Sequence, residues 1–150
     1  MMPALRSGTE VLLVDDNAAD RDLTMEVLSR DNRHLQITPI ADGYQAISFL
    51  RRSGQFGDVP RPDVIVLDLR LPGMDGRKVL HEIRADSELK DIPVIVFSTS
   101  YARDDVKESY RDGATCYLRK PGNLPDFVTV VQNMADFWVR FATQGQRKIK

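Results

Sequence analysis

The chain has 150 residues, 42% of them hydrophobic, and a formal net charge of −1, which predicts one globular domain with a single core. That near-neutral balance gives no electrostatic case for binding DNA or an anionic membrane surface. A single cysteine, Cys116, excludes an intrachain disulfide and fits a reducing cytoplasm, and no apolar stretch reaches the ~18 residues of a membrane-spanning helix.

Residues 1–9 read as a flexible leader, in which Arg6, Ser7 and Gly8 interrupt anything like a signal-peptide core. A strand is predicted from Glu10 to Asp15, and Asn17 caps a helix from Ala18 to Arg30 with Leu23, Val27 and Leu28 inward. Leu35 to Ile40 is a second strand, and Asp42-Gly43 opens a helix through Ala46, Ile47 and Leu50. Ser53 to Pro62 is rich in Gly and Pro and reads as a loop. Val64 to Asp68 is a third strand, a continuous β-branched run of the kind buried on both faces of a parallel sheet. After the turn Pro72-Gly73-Met74-Asp75-Gly76 comes a helix with Val79, Leu80 and Ile83 on one face. Pro93 to Phe97 is a fourth strand, Arg103 to Arg111 a polar helix, and Ala114 to Leu118 a fifth strand in which Cys116 reads as a small buried side chain. Asn123 caps a last helix to Phe141, and residues 142–150 form a flexible basic tail. Strands alternating with helices over residues 10–141 give an α/β domain of five β/α repeats around a parallel sheet.

Three strand-like runs end in charged residues: Val14 runs into Asp15-Asp16, Leu67 into Asp68, and Arg119 into Lys120. Open α/β sheets hold their ligands in the crevice beyond the carboxyl ends of the strands. Mg²⁺ prefers a few hard oxygen ligands and keeps several waters, so Asp15 or Asp16 together with Asp68 offers a suitable set. Crowded carboxylates raise each other's pKa, and a cation removes that cost. Aspartate is also a nucleophile toward phosphoryl groups, Lys120 offers a compact positive charge for their oxygens, and Ser98 brings a hydroxyl to the same rim. Each feature alone has a plainer explanation. Asp-Asp after a strand is common capping chemistry, Asp68 stands before a Pro-Gly turn, and an isolated Lys-Pro or serine says little. Their joint occurrence at successive strand ends carries the inference.

The segments Val11 to Asp16, Val64 to Gly76 and Tyr117 to Pro121 together resemble the receiver domain of two-component response regulators, over residues 9–141. The resemblance implies a flavodoxin-like doubly wound sheet of order 2-1-3-4-5. It implies that Asp68 is the phosphoacceptor, that Asp16, Asp68 and the Arg70 backbone carbonyl bind Mg²⁺ with Asp15 acting through water, and that Lys120 contacts the phosphoryl group. Ser98 and Tyr117 match the family's switch residues, with serine where threonine is commoner, and Lys120-Pro121 matches a bond that is usually cis. The long loop Gly54 to Asp63 and the Phe137-Trp138 pair resemble the single-domain regulators paired with bacterial and cyanobacterial phytochromes, implying a histidine kinase of that type as partner.

The stretch after Phe141 is too short for a DNA-reading module, so output is expected through protein contact or phosphate relay. Phe127, Val131, Met134, Trp138 and Phe141 form a stripe on the last helix, widened by Val130 and Phe137. Part of it must cover the sheet. The surplus of Phe137, Trp138 and Phe141 predicts a homodimer through the face of the fourth helix, fifth strand and fifth helix. One rival reading is a phosphatase of the haloacid-dehalogenase type. Such enzymes need an acid two residues after the nucleophile, where this chain has Arg70. Another is a receiver-like interaction module that is never phosphorylated, which usually lacks an acid or the lysine; here all are present.

Overall fold

A computed structural model describes residues 8–30, 34–100 and 102–139. Five strands, β1 (Thr9–Val14), β2 (Leu35–Ile40), β3 (Val64–Leu67), β4 (Val94–Ser98) and β5 (Cys116–Arg119), form one parallel sheet of order β2-β1-β3-β4-β5. The helices are α1 (Ala18–Ser29), α2 (Gly43–Leu50), α3 (Gly76–Ala85), α4 (Arg103–Arg111) and α5 (Leu124–Met134), with a 3₁₀ turn at Gly54–Phe56 and a π-helical turn at Ala135–Val139. This is the flavodoxin-like, doubly wound arrangement.

Side chains alternate across a strand, so each central strand feeds two cores. Leu12, Val14, Ile65, Leu67, Val94 and Val96 pack with Ala46, Ile47, Leu50, Val79, Leu80 and Ile83 of α2 and α3. Val11, Leu13, Val64, Val66, Ile95 and Phe97 pack with Val27 and Leu28 of α1 and with Phe127, Val131 and Met134 of α5. The three inner strands are apolar on both faces because helices cover both. The outer strand β2 tolerates Pro39, since one of its edges carries no ladder.

Short polar residues start four of the helices that lead away from the carboxyl ends of the strands, α4 with Ala102 being the exception. Asn17 Oδ1 accepts the Asp20 N–H at 3.0 Å, Asp42 Oδ1 the Gln45 N–H at 2.8 Å, and Asn123 Oδ1 the Asp126 N–H at 2.9 Å. Asp75 Oδ1 accepts from both Arg77 and Lys78. The return to β4 and β5 is tied by Arg84. Its guanidinium donates to the carbonyls of Gly113 (2.9 Å), Lys90 (2.9 Å) and Ile92 (2.7 Å), and burial lowers its pKa against the opposing pull of Asp91.

The structure shifts several expected boundaries. Thr9, placed in the leader by sequence, is the first residue of β1, its N–H bound to the His34 carbonyl at 3.1 Å. β5 begins at Cys116, because Thr115 is occupied with β4: its N–H donates to the Val94 carbonyl and its Oγ1 accepts the Val94 N–H. Cys116 is half-buried, since β5 is an outer strand. The loop expected over Ser53 to Pro62 contains the short 3₁₀ turn. The last α-helix ends at Met134 and widens into the π turn, so α-helical spacing does not extend to Phe141. All described peptide bonds are trans, Lys120–Pro121 included; X–Pro bonds favour trans by roughly 0.5–1 kcal/mol. Phe141, the tail 142–150 and leader residues 1–7 lie outside the described residues.

Candidate functional site

The carboxyl ends of β1, β3 and β5 converge on one ammonium group. Lys120, immediately after β5, donates from Nζ to Asp15 Oδ2 at 2.7 Å, to Asp68 Oδ2 at 2.8 Å and to Asp20 Oδ2 at 3.0 Å. Parallel pairing sets this register: β1 and β3 run side by side with Val14 opposite Leu67, so Asp15 and Asp68 leave the sheet together. The Lys120 N–H donates to the Ser98 carbonyl at 2.7 Å, which brings its side chain over the ends of β4 and β3.

Asp15, Asp68 and Lys120 are buried, whereas Asp16 is exposed. Asp15 Oδ1 accepts the Asn17 N–H at 2.9 Å, and Asp68 Oδ1 accepts the Arg70 N–H at 3.0 Å. The Arg21 guanidinium holds the Asp15 carbonyl at 2.9 Å, fixing the turn between β1 and α1. Burial pushes the Asp15 carboxyl up from its usual range, partly offset by Lys120. Burial alone would lower the Lys120 pKa, but hydrogen bonds to Asp15 and Asp68 and their charges outweigh it and hold the ammonium above its ordinary value. The Lys120 Nζ also lies 5.8 Å from the Phe97 ring centroid, in cation–π range.

Carboxylate oxygens of Asp15, Asp16 and Asp68 lie within 4.8 Å of one another. All donors are oxygen, one of the three acids is open to solvent, and Lys120 alone does not neutralise the group. A hard, partly hydrated divalent cation fits this donor set. Asp15, Asp16 and Asp68 are thus brought together as the sequence predicts. The Arg70 side chain is exposed and turned to a cleft of about 540 Å³, which Asp16, Leu71, Arg77, Ser100 and Asp105 also line.

Ser98 is fully buried at the end of β4, and its Oγ accepts the Ser100 N–H at 3.3 Å. Tyr117, half-buried on β5, donates its hydroxyl to the Ser100 carbonyl at 2.5 Å, and its own N–H is bound by the Tyr110 hydroxyl of α4. Burial raises the Tyr117 pKa. Ser100 Oγ donates to Asp105, which belongs to the first turn of α4. A polar chain therefore runs from the site to α4. That helix buries only Ser109 and is further tied by Arg77, which bridges to Glu108 and to Asp112 at its end.

Two of these partners are not evident from sequence. Asp20 reads there as an ordinary acid in a first helical turn, and Asp105 likewise. Only the fold shows that each reaches a residue of the site. Of the predicted interface residues, Phe137 is 64% exposed at the rim of an apolar groove of about 310 Å³ lined by Leu118, Val130, Asn133 and Met134. The side chain of Trp138 and all of Phe141 lie outside the described residues. Phe127, Val131 and Met134 are buried against the sheet.

Comparison with known proteins agrees with this arrangement. The family model "Response regulator receiver domain" matches residues 11–132. The chain is 43% identical over 133 residues to the response regulator Rcp1 of Synechocystis sp., covering 89% of this chain and 90% of that protein. The crystal structure of the Mn²⁺-bound form of Rcp1 superposes with a TM-score of 0.85, at 43% identity over 87% of this chain and 94% of that one. The phosphorylated cyanobacterial phytochrome response regulator RcpA gives a TM-score of 0.85 at 40% identity, again over 87% of this chain and 94% of that one.

Proposed function

This chain belongs to the family of response regulator receiver domains of two-component systems, close to phytochrome response regulators, and on that premise we propose that Asp68 accepts a phosphoryl group from the phosphohistidine of a kinase. The observation that carries this reading is the contact of the Lys120 ammonium with Asp68 Oδ2 at 2.8 Å, beside a second buried acid, Asp15, and an exposed one, Asp16. In the transfer, an Asp68 carboxylate oxygen forms a bond to phosphorus, the phosphorus–nitrogen bond of the donor breaks, and its electron pair leaves with the imidazole. Asp16, Asp68 and the Arg70 carbonyl, with Asp15 acting through water, would hold Mg²⁺, which would supply positive charge against that of the phosphoryl group and the carboxylates. Lys120 orients the acceptor and then contacts the phosphoryl oxygens.

The role is that of a phosphoacceptor in signalling rather than a turnover enzyme. Phosphate on Asp68 adds charge and acceptor oxygens that Ser98 moves to bind, which frees space for Tyr117 and resets the polar chain to α4. The face of α4, β5 and α5 then serves as output. It is the surface for a homodimer, in which Phe137 takes part with Trp138 and Phe141, and its state tunes docking of a kinase of the phytochrome type.

Acetyl phosphate with Mg²⁺ is expected to add one phosphoryl group to the wild type, read by intact mass. Asp68→Asn is expected to abolish that addition; undiminished labelling of the variant rejects Asp68 as the acceptor.

A further inference from the structure

Lys120 has three ammonium protons, and all three are taken: by Asp15, by Asp68 and by Asp20. Asp20 is not one of the three carboxylates gathered within 4.8 Å of each other for a cation. It sits in the first turn of α1, where its backbone N–H is held by Asn17 and its carbonyl accepts the Thr24 hydroxyl at 2.7 Å. An acid at this place favours the helix dipole whichever way its side chain points. Here the carboxylate turns away from free solvent, to 28% exposure, and reaches a lysine 100 residues further along the chain.

We propose that Asp20 is a positioning residue for phosphoryl transfer, acting through Lys120; the inference rests on the phosphoacceptor reading of Asp68. A lysine stem is flexible and its three donors rotate freely, so one partner does not fix an ammonium. Asp15 and Asp20 hold it from two elements, the end of β1 and the first turn of α1. When Asp68 carries phosphate, the proton it received is redirected to a phosphoryl oxygen while the other two stay in place. The ammonium thus remains aimed at phosphorus in both reactions of the site. In uptake from acetyl phosphate, an Asp68 oxygen bonds to phosphorus and acetate leaves with the electron pair of the broken phosphorus–oxygen bond. In loss, water oxygen bonds to phosphorus, the bond to Asp68 breaks with its electron pair kept by the carboxylate, and the water's proton passes to phosphate or solvent.

Without Asp20, one proton of a buried ammonium has no acceptor, and Lys120 reorients to find one. Asp20→Ala is therefore expected to slow both uptake from acetyl phosphate and subsequent loss of label by about fivefold or more, within the ~100-fold that a misplacement of about 1 Å costs. Asp20→Asn keeps an oxygen acceptor at the same reach and is expected to recover most of both rates. In a Lys120→Ala background, Asp20→Ala is expected to add no further effect. Unchanged rates in Asp20→Ala, or an equal loss with and without Lys120, overturn the inference while leaving Asp68 as acceptor. Failure of Asp20→Asn to recover the rates assigns the effect to charge and also overturns positioning. Absence of any label on the wild type overturns the phosphoacceptor reading itself, and this inference with it.

Discussion

At the scale of single residues, the site is a buried charge cluster whose balance depends on one side chain. Lys120 Nζ lies within 3.0 Å of three carboxylates, and two of them, Asp15 and Asp68, are buried with it. Removing one partner of a buried ion pair costs about 3–5 kcal/mol, because the remaining charge stays desolvated. Lys120→Met keeps the stem and deletes the charge, so at neutral pH it is expected to melt well below the wild type. The pH dependence has a definite sign. Asp15 is already raised above its ordinary value by burial, and loss of the ammonium raises it further. A carboxyl with a raised folded-state pKa favours folding below its unfolded value, about 3.9, and loses that contribution as pH rises through the folded value. The stability gap between Lys120→Met and the wild type should therefore be wide at pH 7 and narrow as pH falls toward 4. That narrowing is the loss of the Lys120 ion pairs on the acid side; on the alkaline side the raised Lys120 pKa keeps the ammonium charged into strongly alkaline solution. Calorimetry across this acid range checks the sign; a gap that does not change with pH means the carboxylates are not coupled to the lysine.

At the scale of elements, the site depends on how closely α3 approaches the end of β3. A Cβ added at Gly76 would lie 2.3 Å from the Asp68 carbonyl oxygen and 2.5 Å from Leu69 Cα, both backbone atoms that cannot step aside. Gly76→Ala is expected to cost about 1–3 kcal/mol through overpacking. It should also slow labelling of Asp68, the proposed acceptor, more than tenfold, since the segment that moves carries that residue. Gly57→Ala, where the nearest atom is 3.8 Å away, should change stability by no more than ~0.5 kcal/mol. Equal effects at the two positions would show that the approach at Gly76 is not tight. This element also shows what sequence conveys and what it does not. The apolar run Val64 to Leu67 ending in Asp68 declares a buried strand with a functional end, because burial on both faces demands a continuous β-branched pattern. Asp15, Asp16, Ser98 and Lys120 are legible in the same way, each standing beside or ending such a run. Asp20 and Asp105 are not, since a helix start favours acids for local reasons and the spacing carries no record of the residue they turn to. The boundary of β5 is hidden likewise: Thr115 reads as strand, yet its hydroxyl and N–H are both committed to Val94. The π turn after Met134 has no sequence signal in an unbroken apolar pattern.

At the scale of the whole molecule, the sheet order leaves β5 as an outer strand with α5 beside it, and this edge carries apolar surface that neither core uses. Phe127, Val131, Met134 and Ala135 are buried against the sheet, so the inward half of the stripe is accounted for within the domain. Phe137 is 64% exposed and borders the groove that Leu118 and Val130 line, while Leu124, at the start of the same helix, is 60% exposed. On the other side of β5 the polar chain from Ser98 through Ser100 and Tyr117 reaches α4. The surface proposed for self-association and the polar chain from Ser98 to α4 thus adjoin along one strand. Phosphorylation is expected to tune association at this edge rather than to be required for it. Phe137→Glu combined with Trp138→Glu adds two negative charges after α5 and leaves every residue of the cluster around Lys120 in place. The wild type is expected to sediment as a dimer at micromolar concentration and the variant as a monomer that still takes one phosphoryl group at Asp68. A variant that remains dimeric places the interface elsewhere on the molecule. One that is monomeric but no longer accepts phosphate means that this edge and the site are not separable, since the acid cluster and Lys120 lie on residues the two substitutions leave intact.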